Sequence, residues 1–249
     1  MKTIMNRIFK TLAIAMAAIP LLCSCSDKEE GEGRVSFVLL SDEALTDITR
    51  SQVSDYTTIP SVNDFTIVVT DSKENEIYNG PVGSYPTSKA LNAGNYSVKA
   101  TYGSVTDEGF DKPCFVGSQD FTITGGSTNE VSISVKLANA IVKVECTEMF
   151  KEYFTDYSFT LKTGNGTSIS YPKTETRAAF IDAYTLSVEG TLVNQGGKPQ
   201  TFSKNYTSSL SAATCYTLKF DASNVGKTSI TITFDNSTDD VDLGSIELN

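Results

Sequence analysis

Hydrophobic residues recur at every second position through most of this chain. Val35, Phe37 and Leu39 share one face of a segment, as do Phe65, Ile67 and Val69. Tyr96, Val98 and Ala100 follow, then Phe121 and Ile123, then Val131, Ile133, Val135 and Leu137. The habit resumes with Val142, Val144 and Cys146; Tyr157, Phe159 and Leu161; Tyr184, Leu186 and Val188; Tyr216, Leu218 and Phe220; and Ile230, Ile232 and Phe234. A period of two belongs to the β-strand, whose successive side chains point to opposite faces. The segments are short and are separated by clusters of Gly, Asn, Asp and Ser, which predicts an all-β, antiparallel fold. The one departure is Glu148 to Phe154, where Met149 with Tyr153 and Phe150 with Phe154 pair at i,i+4 and predict a helical turn.

The pattern also repeats on a larger scale. Asp64-Phe65-Thr66-Ile67-Val68-Val69 matches Asp156-Tyr157-Ser158-Phe159-Thr160-Leu161, Asn95 to Val98 matches Ala183 to Leu186, and Glu130 to Ile133 matches Cys215 to Leu218. Order and spacing agree, so either the chain is duplicated or strand alternation alone creates the likeness. A β-sandwich needs about a hundred residues, and 249 leave room for two. The turn Leu91-Asn92-Ala93-Gly94 feeding Asn95 to Val98 is similar to that of transthyretin-like folds. The expected organisation is two tandem antiparallel β-sandwich domains, transthyretin-like or immunoglobulin-like, over 34–138 and 139–249.

What precedes residue 34 has a different character. Lys2, Arg7 and Lys10 lead into the 12-residue apolar stretch Thr11 to Leu22. Twelve residues at 1.5 Å each cannot span a hydrocarbon core of about 30 Å, but they suit a signal peptide. Leu22-Cys23-Ser24-Cys25 then resembles a lipobox, with Leu22 at −3 and Ser24 at −1 of Cys25. Cleavage after residue 24 would leave Cys25 to carry thioether-linked diacylglycerol and a palmitate-type acyl chain on its amine, and two or more chains anchor stably. The plainer alternative is a secretory signal with two incidental cysteines. Residues 25–33 form an acidic tether (Ser26-Asp27-Lys28-Glu29-Glu30-Gly31-Glu32-Gly33) that resembles the export signal of surface-exposed Bacteroidetes lipoproteins. A simple solvated linker would read the same way. The expected location is the outer face of the outer membrane, held by lipid.

Charge and composition narrow the chemistry. Without residues 1–24 the chain has 17 basic and 30 acidic residues, net −13, which repels nucleic-acid phosphates. There is no histidine, which excludes His-based triads and His-ligated metal sites, and there is no tryptophan to stack on sugars. No enzyme activity and no cofactor are expected. Cys114, Cys146 and Cys215 permit one intramolecular disulfide, with Cys146–Cys215 the pair to test, although buried free thiols fit equally simple packing. Asp240 and Asp242, before Gly244 and near Asp235 and Asp239, are weak calcium candidates that also read as an acidic hairpin tip. Asp107, Glu108 and Asp111 form a second acidic loop beside Phe110 and Phe115.

Lipobox, acidic tether, Thr49-Arg50 after the first strand and paired sandwiches together resemble the fimbrillin-like lipoproteins of Bacteroidetes. The chain is also similar to an uncharacterised two-domain surface lipoprotein family of that phylum, on Asp64-Phe65, Ala93-Gly94-Asn95-Tyr96 and Pro113-Cys114-Phe115-Val116-Gly117. The resemblance implies a fimbrial or adhesin-type structural role, with other fimbrial subunits or host and cell-surface ligands as partners besides the membrane. It also implies that an arginine-specific protease cuts at Arg50, so that the first strand leaves and a neighbour's strand fills the groove. A plain loop containing an arginine is the competing reading. The alternative function is a glycan-binding lipoprotein of a polysaccharide-uptake system, with Tyr78, Tyr85, Tyr102 and Tyr171 as the aromatic candidates.

Overall fold

The computed structural model describes residues 31–40, 53–206, 209–222, 229–235 and 240–247. In the first half the strands are β1 (Glu32–Leu40), β2 (Thr66–Asp71), β3 (Glu76–Pro81), β4 (Leu91–Asn92), β5 (Gly94–Tyr102), β6 (Gly109–Phe110), β7 (Phe115–Ile123), β8 (Thr128–Ser134) and β9 (Lys136–Leu137). The second half holds β10 (Asn139–Cys146), the helix α1 (Glu148–Tyr153), β11 (Phe154–Thr163), β12 (Ser168–Pro172), β13 (Ala179–Asp182) and β14 (Leu186–Asn194). It ends with β15 (Pro199–Tyr206), β16 (Cys215–Ala222), β17 (Ser229–Asp235) and β18 (Asp240–Glu247). The fold is all-β, as the alternation predicts, and β1 starts two residues inside the expected tether.

Four sheets form two sandwiches with one topology. β4-β1-β8 faces β3-β2-β5-β7-β9 in the first half. β18-β17-β16-β10-β13-β6 faces β12-β11-β14-β15 in the second, so β13-β10-β16 repeats β4-β1-β8 and β12-β11-β14-β15 repeats β3-β2-β5-β7. Most pairs are antiparallel, but β1–β8 and β10–β16 are parallel. Alternation reports which face a side chain takes and not which way the neighbour runs. A parallel pair needs a long crossover, and the opposite sheet of each sandwich supplies it.

Each half has a core that the alternating positions build. Phe65, Ile67, Val98, Phe115 and Ile133 centre the first; Phe150, Phe154, Phe159, Leu192 and Phe220 centre the second. Thr147 caps α1 by accepting the Phe150 N–H at 3.2 Å, which aims Phe150 at Phe154, Tyr157 and Phe220. Tyr184 departs from the expected face: β14 begins only at Leu186, and Tyr184 is 54% exposed.

The two cores share strands. In β10, Ala140 and Val142 face the second core while Ile141 joins the first; in β13, Ala179 and Ile181 face the second and Phe180 the first. A sheet buried on both sides reads as a continuous apolar run, here Ala140-Ile141-Val142 and Ala178-Ala179-Phe180-Ile181, rather than as alternation. This sheet is the wall between the halves.

Candidate functional site

The loop between β5 and β7 is where the first half grips the second. Gly109-Phe110 adds as β6 to the edge of β13, with Phe110 opposite Ala179 and Gly109 opposite Phe180. The Glu108 carboxylate accepts from Thr163 Oγ1 at 2.6 Å and from the Asp182 N–H at 2.9 Å. Arg177 lies over the Phe110 ring at 4.5 Å and donates to Asp111 and to Glu175, each at 2.9 Å. That hydrogen bonding from Arg177 pulls the Glu175 carboxyl down to about 2 and raises the guanidinium in return. Asp107 pairs with Lys112 at 2.8 Å. The acidic loop that the sequence places beside Phe110 therefore belongs to a joint between halves, its carboxylates engaged by partners of their own.

Asn139 completes the joint from inside. It is fully buried, its Oδ1 accepts the Cys114 N–H, and its carbonyl accepts the Ala213 N–H at 2.8 Å. The Ala138 N–H donates back to the Cys114 carbonyl at 2.7 Å. Asn139 Nδ2 has no hydrogen-bond partner among the described residues. On the first-core face of the wall, Cys215 Sγ meets Tyr56 Oη at 3.2 Å.

The thiols stay apart. No disulfide joins the three described cysteines. Cys146 and Cys215 lie five positions apart along the register of β10 and β16, since Ile141 is opposite Cys215 and Cys146 opposite Phe220. At 3.3 Å per residue that is roughly 16 Å, far beyond disulfide reach. Burial pushes the Cys146 thiol up to about 12 and raises Cys114 as well, so neither ionises near neutrality to act as a nucleophile.

Beside Cys146 a cleft of about 420 Å³ opens between β10 and β12, lined by Lys143, Glu145, Lys151, Tyr157, Lys173 and Glu175 among others. Its charges are already occupied. Lys143 pairs with Glu145 at 2.7 Å and Lys151 with Glu148 at 2.8 Å, while Lys173 donates to the Thr155 carbonyl at 2.8 Å. Burial works against the Lys143 ammonium, and the Glu145 hydrogen bond and charge outweigh it, leaving its pKa raised. No pair of free carboxylates faces across this cleft.

The aromatic candidates for sugar stacking do not form a row. Tyr85 and Tyr171 are buried, and Tyr171 donates to the Val142 carbonyl at 3.0 Å. Tyr78 and Tyr102 pack against the first core. Among the residues of described burial the exposed ring is Tyr184, whose strand-like spacing predicts a packed face. A Cβ on Gly164 would come within 2.2 Å of its Cδ1, so the ring lies against bare backbone. Asn165 Nδ2 bonds Asp182 Oδ2 at 3.1 Å nearby, which puts polar groups next to a flat aromatic face. The one signal in the sequence was Gly164 itself, small where a ring must approach.

Cys25 and Arg50 lie outside the described residues. Asp240 pairs with Asp235 at the mouth of the β17–β18 hairpin, and Asp242 pairs with Thr233 inside its ladder. Among the described residues no group of three His, Cys, Asp or Glu is placed to hold a metal ion, and no helix is long and apolar enough to cross a membrane.

Residues 31–247 match the family model described as Domain of unknown function (DUF4493). No curated protein matches the chain. Among solved structures, a candidate cell adhesion protein from Bacteroides eggerthii DSM 20697 is similar at 11% identity and a TM-score of 0.46, covering 83% of this chain and 95% of that one. Candidate polysaccharide-binding proteins (DUF1812) from Bacteroides thetaiotaomicron VPI-5482 are similar at 11% identity and 0.45, over 82% and 96%. A candidate adhesin from Bacteroides ovatus is similar at 9% identity and 0.43, over 86% and 96%. At these scores the likeness speaks to neither activity nor partner.

Proposed function

The chain belongs to the DUF4493 family, and we propose that it is a non-enzymatic lipoprotein of the outer-membrane surface that serves as a fimbrial or adhesin-type structural component. The observation that supports this is the joint. A strand addition, a buried asparagine and a shared wall of β10 and β13 join the two sandwiches. Such a joined pair suits display and assembly, whereas hydrolysis needs a free carboxylate pair or an activated nucleophile, neither of which the described residues of the cleft beside Cys146 offer. In this reading Cys25 carries the lipid and residues 26–31 lead from the bilayer into β1.

Arg50 enters the same proposal. β1 is the middle strand of β4-β1-β8, so cutting at Arg50 and losing β1 would bare the β8 edge for a strand of another subunit. If the connection is a plain loop, β1 stays and the protein remains a monomeric display module. Digestion with an Arg-specific protease, followed by sizing, separates the two fates.

The anchor is tested by feeding an alkyne-tagged palmitate to a Bacteroidetes host that expresses the chain. Wild type should label, fractionate with the outer membrane and be shaved from intact cells by protease, and Cys25→Ala should do none of these. Equal labelling of Cys25→Ala, or protection of wild type on intact cells, overturns the reading.

A second reading rests on Tyr184. An exposed ring backed by Gly164 and flanked by Asn165 and Asp182 has the make-up of a sugar-stacking site, which favours glycan capture for a polysaccharide-uptake system as the alternative. A glycan array on wild type and Tyr184→Ala tests it.

A further inference from the structure

The chain enters and leaves each sandwich at opposite ends of a parallel strand pair, and from this we infer that the protein is built to bear tension applied along its length. In the first half β1 and β8 run parallel with seven consecutive register pairs, from Arg34 opposite Thr128 to Leu40 opposite Ser134. The entry end of β1 is fixed at the turns remote from the second half. The Ala93 N–H donates to the Gly31 carbonyl at 2.7 Å, the Gly126 N–H to Glu32 at 2.9 Å, and the Arg34 N–H to Ser127 at 2.8 Å. Every crossing to the second half departs from the other end. Chain continuity runs from Ser134 through β9 to β10, Tyr102 leads into the loop that carries β6, and Tyr56 follows the exit of β1 and meets Cys215.

A pull on residue 31 against the second half therefore slides β1 along β8. The ladder cannot open one bond at a time, because the load falls on all seven pairs together. The side chains of Val35 and Leu39 must also leave the first core in the same movement. A peeling load would instead break the bonds one after another, each weak on its own. Resistance to forced unfolding is set by the height of the barrier, so the geometry of loading governs it.

The second half repeats the arrangement. β10 enters parallel to β16 with six register pairs, from Ile141 opposite Cys215 to Cys146 opposite Phe220. β17 turns back and β18 turns again, so β18 runs in the direction of β10 and ends across the sheet from where β10 began. Tension between the two ends of the chain thus shears both sandwiches in series. A duplicated parallel pair at the entry of each half is what a load-bearing link needs, and display without load would be served as well by hairpins throughout.

This inference rests on the anchor proposed above only for the place where load is applied in the cell. Its test is mechanical and needs no lipid. Single molecules of the chain from residue 26 are pulled between the N-terminus and the C-terminus. The same chain is then pulled between the N-terminus and a thiol handle at exposed Thr128 (Thr128→Cys, with Cys146→Ser to remove the half-buried thiol). Circular dichroism and the denaturant midpoint confirm that the handle variant is folded. The expected unfolding force is roughly twofold or more higher end to end than with the Thr128 handle, because that handle sits at the same end of the pair as the entry of β1 and peels it. Equal forces in the two geometries, or a higher force with the Thr128 handle, overturn the inference whether or not Cys25 is lipidated. A failed palmitate label with the force difference intact would remove the anchor and leave the load-bearing strand pairs.

Discussion

Ala140 and Ile141 are neighbours in the chain and belong to different hydrophobic cores, Ala140 to that of the second half and Ile141 to that of the first. The sheet that carries them is the common wall of both sandwiches. Phe180 on β13 has the same position as Ile141, fully buried against the first core although it lies in the second half. The halves are therefore expected to unfold together. Phe180→Ala should cost about 3–5 kcal/mol and keep a single urea transition when fluorescence and circular dichroism are compared. Two separated transitions in the wild type would show that the wall does not couple the halves.

Glu108 reaches across the joint to Thr163 and to the Asp182 amide. Hydrogen bonds to a charged acceptor contribute about 1.5–3 kcal/mol, so Glu108→Ala should destabilise by that order. Hydrogen exchange locates the effect: the Asp182 amide should lose protection in Glu108→Ala, while amides of β2 and β5 keep theirs relative to the global change.

Acid should weaken the joint over a defined window. Glu175 is held at about 2 in the folded chain, mainly by its hydrogen bond from Arg177, against an ordinary value of 4.5. A depressed folded value means the contribution is whole above about pH 4.5 and drains as pH falls through about 2. Glu175→Gln should thus be less stable than wild type at neutral pH, and the gap in urea midpoint should close on titration toward about pH 2. A gap that widens with acid would contradict the assignment.

Tyr184 separates fold from recognition. Its ring is exposed and its backbone carbonyl accepts the Leu210 N–H at 2.7 Å, a bond that a side-chain change keeps. Tyr184→Ala should change stability by no more than about 0.5 kcal/mol. Under the glycan reading the same variant loses array binding, and under the fimbrial reading it leaves surface assembly intact.

Much of this could be read from residues in order. Strand faces such as Phe65, Ile67 and Val69 follow from a backbone that sends alternate side chains to opposite sides, and α1 follows from its i,i+4 apolar pairs. Both signals are local, so the chain alone determined the all-β class and the faces of many strands, and it left the repeat and the lipid anchor at Cys25 as expectations. Strand direction and partnership are not local. That β1 runs parallel to β8, or that Gly109-Phe110 joins β13, depends on segments tens of residues apart meeting in space, and hydrophobic period carries no record of it. The same holds for β10 and β13, where burial on both faces erases the alternation, and for Tyr184, whose strand-like spacing gave no hint that a chain turn at Gly164 would leave its ring in water. Only the tertiary structure decided that the acidic loop is a joint and that the parallel pairs stand in line with the chain ends.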